Sequence, residues 1–413
     1  MIGMMNKASE EHGKWLLWSA MGFAFFMSLW QAILPLFLLM FIISWIRYSY
    51  WSPVIDMRQP LFWSALLYVL HLIGMAWSDN WNYGLFDLEI KSSLLLLPLL
   101  GMLWPRNSNS LLPPVLLAFI LGNCIAVGAG LIHVVQILYT DESLSIGSIF
   151  GSRFSFLIHP SYFALHLVFG ITAILLGILK LPAKMLLALL FISLIGVMFS
   201  GSKMGWISLL LMLPMVALFR WKEKDFRRVI LITVGSAIAG VAILIAFSGP
   251  VRERVVEMFS ATSGPIDPAA TTSSQVRRMA WAGAMEVTTD HLPIGAGTGD
   301  VKDKLIDTYE KHGFDFLVEH RINAHSQFLQ MSAALGIAGI LLITLVVLIP
   351  LIFGTAGDRL YQIFLLLCLI NWSVESMLEV QAGVLFFAFF ALLMTTCHHR
   401  SSPHDPVQSP AHR

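Results

Sequence analysis

Charge is what this sequence has least of. Only 12% of its 413 residues are Asp, Glu, Lys or Arg, against about 25% in soluble domains, and 57% are hydrophobic. That balance excludes a soluble enzyme and a disordered chain. Cysteine is scarce as well: Cys124, Cys368 and Cys397 are the only three. All sit in apolar runs and none has metal-ligand spacing to another. This excludes a disulfide scaffold and leaves them as small core hydrophobes. Neither sign of charge prevails, with 26 basic against 25 acidic residues, so there is no nucleic-acid footprint. The apolar residues do not alternate as the strands of an outer-membrane barrel would; they run on uninterrupted. With a mean hydropathy of +0.75, what remains is an all-α polytopic membrane protein.

A helix needs about 20 apolar residues to cross a bilayer. The first run, Trp15 to Ile46, is too long for one span and is divided near Trp30–Gln31, its most polar point. Further spans are expected at 60–77, 86–104, 113–138, 160–180, 183–200, 203–220, 228–248, 326–354, 359–376 and 379–397, so the chain is read as about twelve transmembrane helices. No small-residue cleavage site follows the first run, which argues against a signal peptide. With the N-terminus in the cytoplasm, Lys7, Lys14, Arg47, Arg58, Lys180, Lys184, Arg220 and the basic residues of 222–228 fall inside. The short outer loops hold only Arg153 and Lys203, as the positive-inside rule requires. Four regions follow: helices 1–9 over residues 1–248, an outer loop over 249–325, helices 10–12 over 326–397, and a polar, proline-containing cytoplasmic tail over 398–413. The tail reads as disordered, and its His398–His399 pair as solvated rather than metal-binding.

The 249–325 segment is too long for a connector and is expected to be functional. Short helices are expected at 251–260, at 275–290, where Met279, Ala282, Met285 and Glu286 recur at helical spacing, and at about 300–311. Residues 262–274 read as a mobile stretch. Gly295, Gly297 and Gly299 form no dinucleotide fingerprint, since no βαβ unit surrounds them; they predict a tight turn. Ser200-x-x-Lys203 and Ser78-Asp-Asn80 have the wrong order for a penicillin-binding signature.

Basic side chains gather at the outer face: Arg153, Lys203 at the start of a span, Arg277 and Arg278 at the start of the second loop helix, and His325 where the loop meets the next span. Such a cluster suits an anionic head group such as a phosphate or diphosphate, for which arginine offers a planar fork. Each residue also has a plainer reading. Arg153 and Arg321 are also typical solvated loop residues, Lys203 is placed to snorkel at a helix end, and His325 is placed to cap a helix start. Within the spans, charged or histidine side chains are few, among them His71, Asp87, Lys91 and Glu375, and most lie near outer ends. Asp87 and Lys91 stand four apart and are placed to neutralise one another. A transporter would concentrate ionisable groups at the midplane.

Four stretches carry a resemblance that covers most of the chain. They are Trp77-Ser-Asp-Asn with Phe86-Asp-Leu-Glu-Ile-Lys91 through Pro98; Arg153 with His159-Pro-Ser-Tyr; Phe199-Ser-Gly-Ser-Lys203; and Arg278-x-x-Trp281, Leu292-Pro-Ile-Gly-Ala-Gly297, Asn323-Ala-His325-Ser-x-Phe-Leu and Leu335-Gly-x-x-Gly339. Together they resemble the bacterial O-antigen ligase and O-antigen polymerase family. Lysine stands at 203 where the family usually has arginine, which keeps the charge and loses the bidentate fork. The resemblance implies a GT-C-type, inverting, metal-independent glycosyltransferase of the bacterial inner membrane with its active site facing the periplasm. It implies an undecaprenyl-diphosphate-linked glycan as donor, a lipid A-core sugar hydroxyl as the ligase's acceptor, membrane lipids as surroundings, and no cofactor. A polymerase would instead join lipid-linked repeat units, and the ligase reading is preferred on the 88–98 segment. A lipid-linked oligosaccharide transporter and a non-catalytic membrane scaffold are the alternatives from other classes. On the family pattern, Arg278 with its neighbour Arg277, and Lys203, are expected to hold the diphosphate. Arg153 is expected to assist or to bind the acceptor. His325 is expected to act as general base or as hydrogen-bond donor to the leaving phosphate, since histidine changes charge near neutral pH.

Overall fold

The computed structural model describes residues 2–105, 110–140, 149–223, 227, 231–236, 239, 266–353 and 359–396. Among them every regular element is helical. Stretches within 31–48, 60–77, 112–140, 183–200, 203–220 and 327–353 are long and apolar enough to cross a membrane, and shorter apolar helices accompany them. This is the architecture of a polytopic membrane protein. The expected span at 228–248 lies outside the described residues apart from 231–236 and 239, and so do the expected helix at 251–260, the stretch 262–265 and the tail 398–413.

The first apolar run divides into α1 (Ile2–Phe26) and α2 (Leu34–Tyr48), joined through a 3-10 turn at Gln31–Ile33. Then come α3 (Pro60–Gly74), α4 (Trp81–Lys91), α5 (Ser93–Leu103), α6 (Leu112–Thr140), α7 (Pro160–Leu175), α8 (Ala183–Ser200) and α9 (Lys203–Arg220). The loop region forms α10 (Ser273–Asp290), α11 (Val301–Lys311) and the short α12 (Asp315–Glu319), the last not anticipated from the sequence. The chain closes with α13 (Gln327–Phe353), α14 (Arg359–Trp372) and α15 (Gln381–Thr396).

Several helix boundaries depart from the expected spans, each for a local reason. The run expected at 86–104 begins earlier and divides at Ser92. Asn80 caps α4 by accepting from the Tyr83 backbone N–H at 3.1 Å, so the helix includes Trp81 to Phe86. The span expected at 160–180 stops at Leu175, because Gly177 turns the chain with φ +72°. The span expected at 359–376 stops at Trp372. The residues that follow, 373–380, form a turn carrying two carboxylates, Glu375 and Glu379.

α7 lies at the centre, with every residue from Ser161 to Leu175 buried. It packs against α6, α8, α9 and α14. Phe169 on this helix meets Phe119, Phe386 and Phe390 edge-on, with ring centroids 6.0, 5.6 and 4.9 Å away. Such T-shaped contacts set the positive edge of one ring against the negative face of the next.

α13 is kinked at Gly336, whose φ of 60° and ψ of −142° are not helical. The kink removes helical donors from neighbouring carbonyls, and the glycine turn supplies replacements. Ala296 N–H donates to the Ala333 carbonyl at 2.8 Å and Gly297 N–H to that of Ala334 at 2.9 Å. Ile337 N–H in turn donates to the Pro293 carbonyl at 3.0 Å. A Cβ on Gly295 would meet the backbone of Ala334 and Gly336 at 2.5 Å, so only glycine permits this approach. The Leu292-to-Gly297 and Leu335-to-Gly339 segments are therefore two halves of one joint, which seats the loop helices on the first turns of α13.

Candidate functional site

Three long helices begin at one place. His159 to Ser161 at the start of α7, Ser202 and Lys203 at the start of α9, and Thr272 and Ser273 at the start of α10 all line a cavity of about 760 Å³. Helix N-termini carry partial positive charge and unpaired N–H groups, so their convergence suits an anion. Local sequence sets this arrangement. Ser200 ends α8, Gly201 turns left-handed with φ 59°, and Ser202 caps α9 by accepting from Gly205 N–H at 3.1 Å. Lys203 is then the first residue of α9. The Phe199-to-Lys203 stretch is a helix-to-helix joint that sets one cation on the cavity wall. There Lys203 Nζ donates to Ser274 Oγ at 2.9 Å.

Arg277 lines the same cavity from α10. Its Nε donates to the Val374 carbonyl at 3.1 Å, its Nη1 to the Ser273 carbonyl at 3.1 Å, and its Nη2 to Glu375 Oε1. Three anchors leave the guanidinium little freedom to turn. His325 stands beside it in the left-handed region, with φ 46°. Two residues of its own motif hold that conformation: Asn323 Oδ1 accepts from the His325 N–H at 3.1 Å, and Trp281 Nε1 donates to the His325 carbonyl at 2.9 Å. His325 Nδ1 is 3.1 Å from Glu375 Oε2.

Glu375 joins these groups. One oxygen faces His325 and the other accepts from Arg277 and, at 3.1 Å, from the Ser161 hydroxyl. Burial works to raise its pKa. The His325 hydrogen bond and the charges of Arg277, His325 and His159 outweigh burial and hold it at about 2. With the Glu375 carboxylate at this distance, Nδ1 is the protonated nitrogen whenever the His325 ring is neutral, which leaves the Nε2 lone pair for chemistry. Burial pushes His159 the other way, below the usual histidine value, against the opposing pull of Glu375. Apolar walls from Val276, Phe316 and Ile322 complete the cavity. Among the described residues, no group of three or more His, Cys, Asp or Glu side chains stands where it could hold a metal ion.

His325, Lys203 and Arg277 thus meet at one cavity. Arg278, one position further along α10 and so turned about 100° around the helix, is half-buried and does not line it. Arg153 is exposed and also lies off the wall, although its neighbours Gly151 and Ser152 are part of it. The sequence reading missed Glu375, His159 and Ser161 as members of the site. Glu375 was visible as a charge in an apolar run, and a carboxylate placed so must find a partner; no pattern of spacing pointed to His325 or Arg277 as that partner.

With this geometry in view, the chain compares with known proteins as follows. The family model described as O-antigen ligase matches residues 188–344, a range that contains Lys203, Arg277, Arg278 and His325 but neither Arg153 nor Glu375. No curated protein matches the chain.

Proposed function

We propose that this chain, whose residues 188–344 are similar to the O-antigen ligase family model, belongs to that family and is an inverting glycosyltransferase. It moves O-antigen glycan from undecaprenyl diphosphate to a lipid A-core sugar hydroxyl at the periplasmic face of the inner membrane. The observation that carries the reading is the Glu375 carboxylate bound to His325 Nδ1 and Arg277 Nη2 together. It joins a candidate base to a candidate anion clamp in one cavity.

The diphosphate of the donor sits against Lys203, Arg277 and the starts of α7, α9 and α10. The acceptor hydroxyl lies at His325 Nε2. Its oxygen attacks the anomeric carbon from the face opposite the leaving group, and the bond from that carbon to the phosphate oxygen breaks. The departing undecaprenyl diphosphate takes the electron pair, and the hydroxyl proton passes to Nε2. Attack on the opposite face inverts the anomeric centre. Negative charge grows on the diphosphate as the bond breaks, so cations already in place lower the barrier without reorganising. Glu375 stabilises the imidazolium that forms and keeps the ring oriented, as the carboxylate of a catalytic triad does.

Transfer by the purified protein from a lipid-linked donor to purified lipid A-core is the direct test, followed as capped core on a gel. The expected result is transfer that requires His325 and is insensitive to chelator. A deletion strain should lose all capped core. If it retains core bearing a single repeat unit, the protein is a polymerase. If donor accumulates on the cytoplasmic leaflet, it is a transporter.

A further inference from the structure

The turn 373–380 is held from a second direction, by charges that take no part in the cavity. Lys91, at the end of α4, is wholly buried. Its Nζ pairs with the Asp87 carboxylate and donates to Glu379 Oε2 at 2.8 Å. The other oxygen of Glu379 accepts from Gln327 Nε2 at 3.0 Å, and Gln327 Oε1 accepts from Leu378 N–H at 2.6 Å. One residue earlier, Ser326 N–H donates to Ser376 Oγ at 3.1 Å. So 325, 326 and 327, three residues in succession, each bond to the same short turn, and Lys91 anchors its far end.

We propose that Lys91 is a positioning residue for the cavity: through Glu379 it seats the turn so that Glu375 reaches His325 and Arg277. The proposal rests on the role given to His325 above. Lys91 stands between the buried Asp87 and the largely enclosed side chain of Glu379, so its removal leaves both without the cation they bond to, and an uncompensated charge in such surroundings is strongly destabilising. The turn relieves this by moving Glu379 away, and Glu375, four residues back, moves with it. A displacement of about 1 Å at a reacting group costs on the order of 100-fold in rate.

The test is a double-mutant cycle on purified protein, with kcat and KM for the lipid-linked donor measured separately. Lys91→Met should lower kcat on the order of 100-fold with a smaller change in KM, and Lys91→Arg should recover most of the loss. In a Glu375→Gln background, Lys91→Met should cost no more than about twofold, because both changes act through one carboxylate. Should Lys91→Met not fold, Lys91→Met with Glu379→Gln leaves the cluster's net charge unchanged; it should fold and remain slow. A readout independent of turnover is the rate at which a disulfide forms between cysteines placed at Ser326 and Ser376, which Lys91→Met should slow. Losses of kcat that multiply between Lys91→Met and Glu375→Gln overturn the proposal. So does a folded Lys91→Met, Glu379→Gln protein with wild-type kcat, or a disulfide rate indifferent to Lys91. If transfer is never observed, the proposed function fails while the disulfide rate still decides this one.

Discussion

Two glutamates four residues apart in one short turn have opposite surroundings. Glu375 faces a cavity and bonds to an imidazole, a guanidinium and a hydroxyl. Glu379 faces inward and meets a wholly buried lysine and the amide of Gln327. Their side chains are enclosed to nearly the same degree and both are bonded, so neither enclosure nor pairing separates them. The difference is in what each partner can do next. The partners of Glu375 line open space, where a substrate proton or phosphate can arrive. The partners of Glu379 are closed in by helices and can only hold position. A buried charge thus becomes a candidate for chemistry when its partners reach a cavity, and a fastening when they do not.

The largest effect should come from His325. His325→Ala is expected to lower transfer 10²–10⁴-fold, roughly the contribution of a general base, while donor binding persists. Equal turnover in this variant would falsify the mechanism. His325→Gln separates the roles: recovery favours contact with the leaving phosphate, and no recovery favours proton abstraction. Glu375→Gln should approach the same loss, because an amide N–H directed at Nδ1 makes that nitrogen the acceptor and moves the proton to Nε2. The comparison of the two glutamates fails if Glu375→Gln is milder than Glu379→Gln.

Next in size are the cations. Loss of Arg277 or Lys203 to alanine should raise the barrier by roughly 3–4 kcal/mol, measured as kcat with membrane insertion unchanged. Lys203→Arg should keep substantial activity, since it preserves the charge and adds a planar fork. Arg278→Ala is expected to cost less than Arg277→Ala, because only Arg277 lines the cavity. The reverse order would show that the diphosphate sits on the other face of α10.

The smallest effect concerns acid. Glu375 has its pKa held at about 2, below the ordinary glutamate value of about 4.3. Its contribution to stability is therefore complete above the ordinary value and is lost as pH falls toward about 2. Melting temperature in detergent should fall across that window in the wild type. Glu375→Gln should flatten the part of the fall that belongs to this group.

Much of the architecture is legible in the sequence. Apolar runs longer than a bilayer needs can only be helices, because backbone groups in hydrocarbon must be satisfied within their own segment. The α10 and α11 helices followed from periodicity, and the glycine turn from its composition. Lys203 and His325 were readable as candidates because a charge at the edge of an apolar run is conspicuous. The boundary at Trp372 fell four residues short of the expected end at 376; in the structure Arg277 and Lys91 bond the two carboxylates of the segment that follows it.

The sequence by itself determined the helical, membrane-embedded class and the stretches that resemble the O-antigen ligase family, because both depend on local composition and order along the chain. Tertiary structure alone decided that Arg277 rather than Arg278 faces the cavity, that Glu375 joins His325 and Arg277 there, and that Lys91 lies at the far end of the same turn. Those outcomes depend on which helix faces meet across separations of 50 to 288 residues. Periodicity along one helix carries no information about which neighbour it will meet.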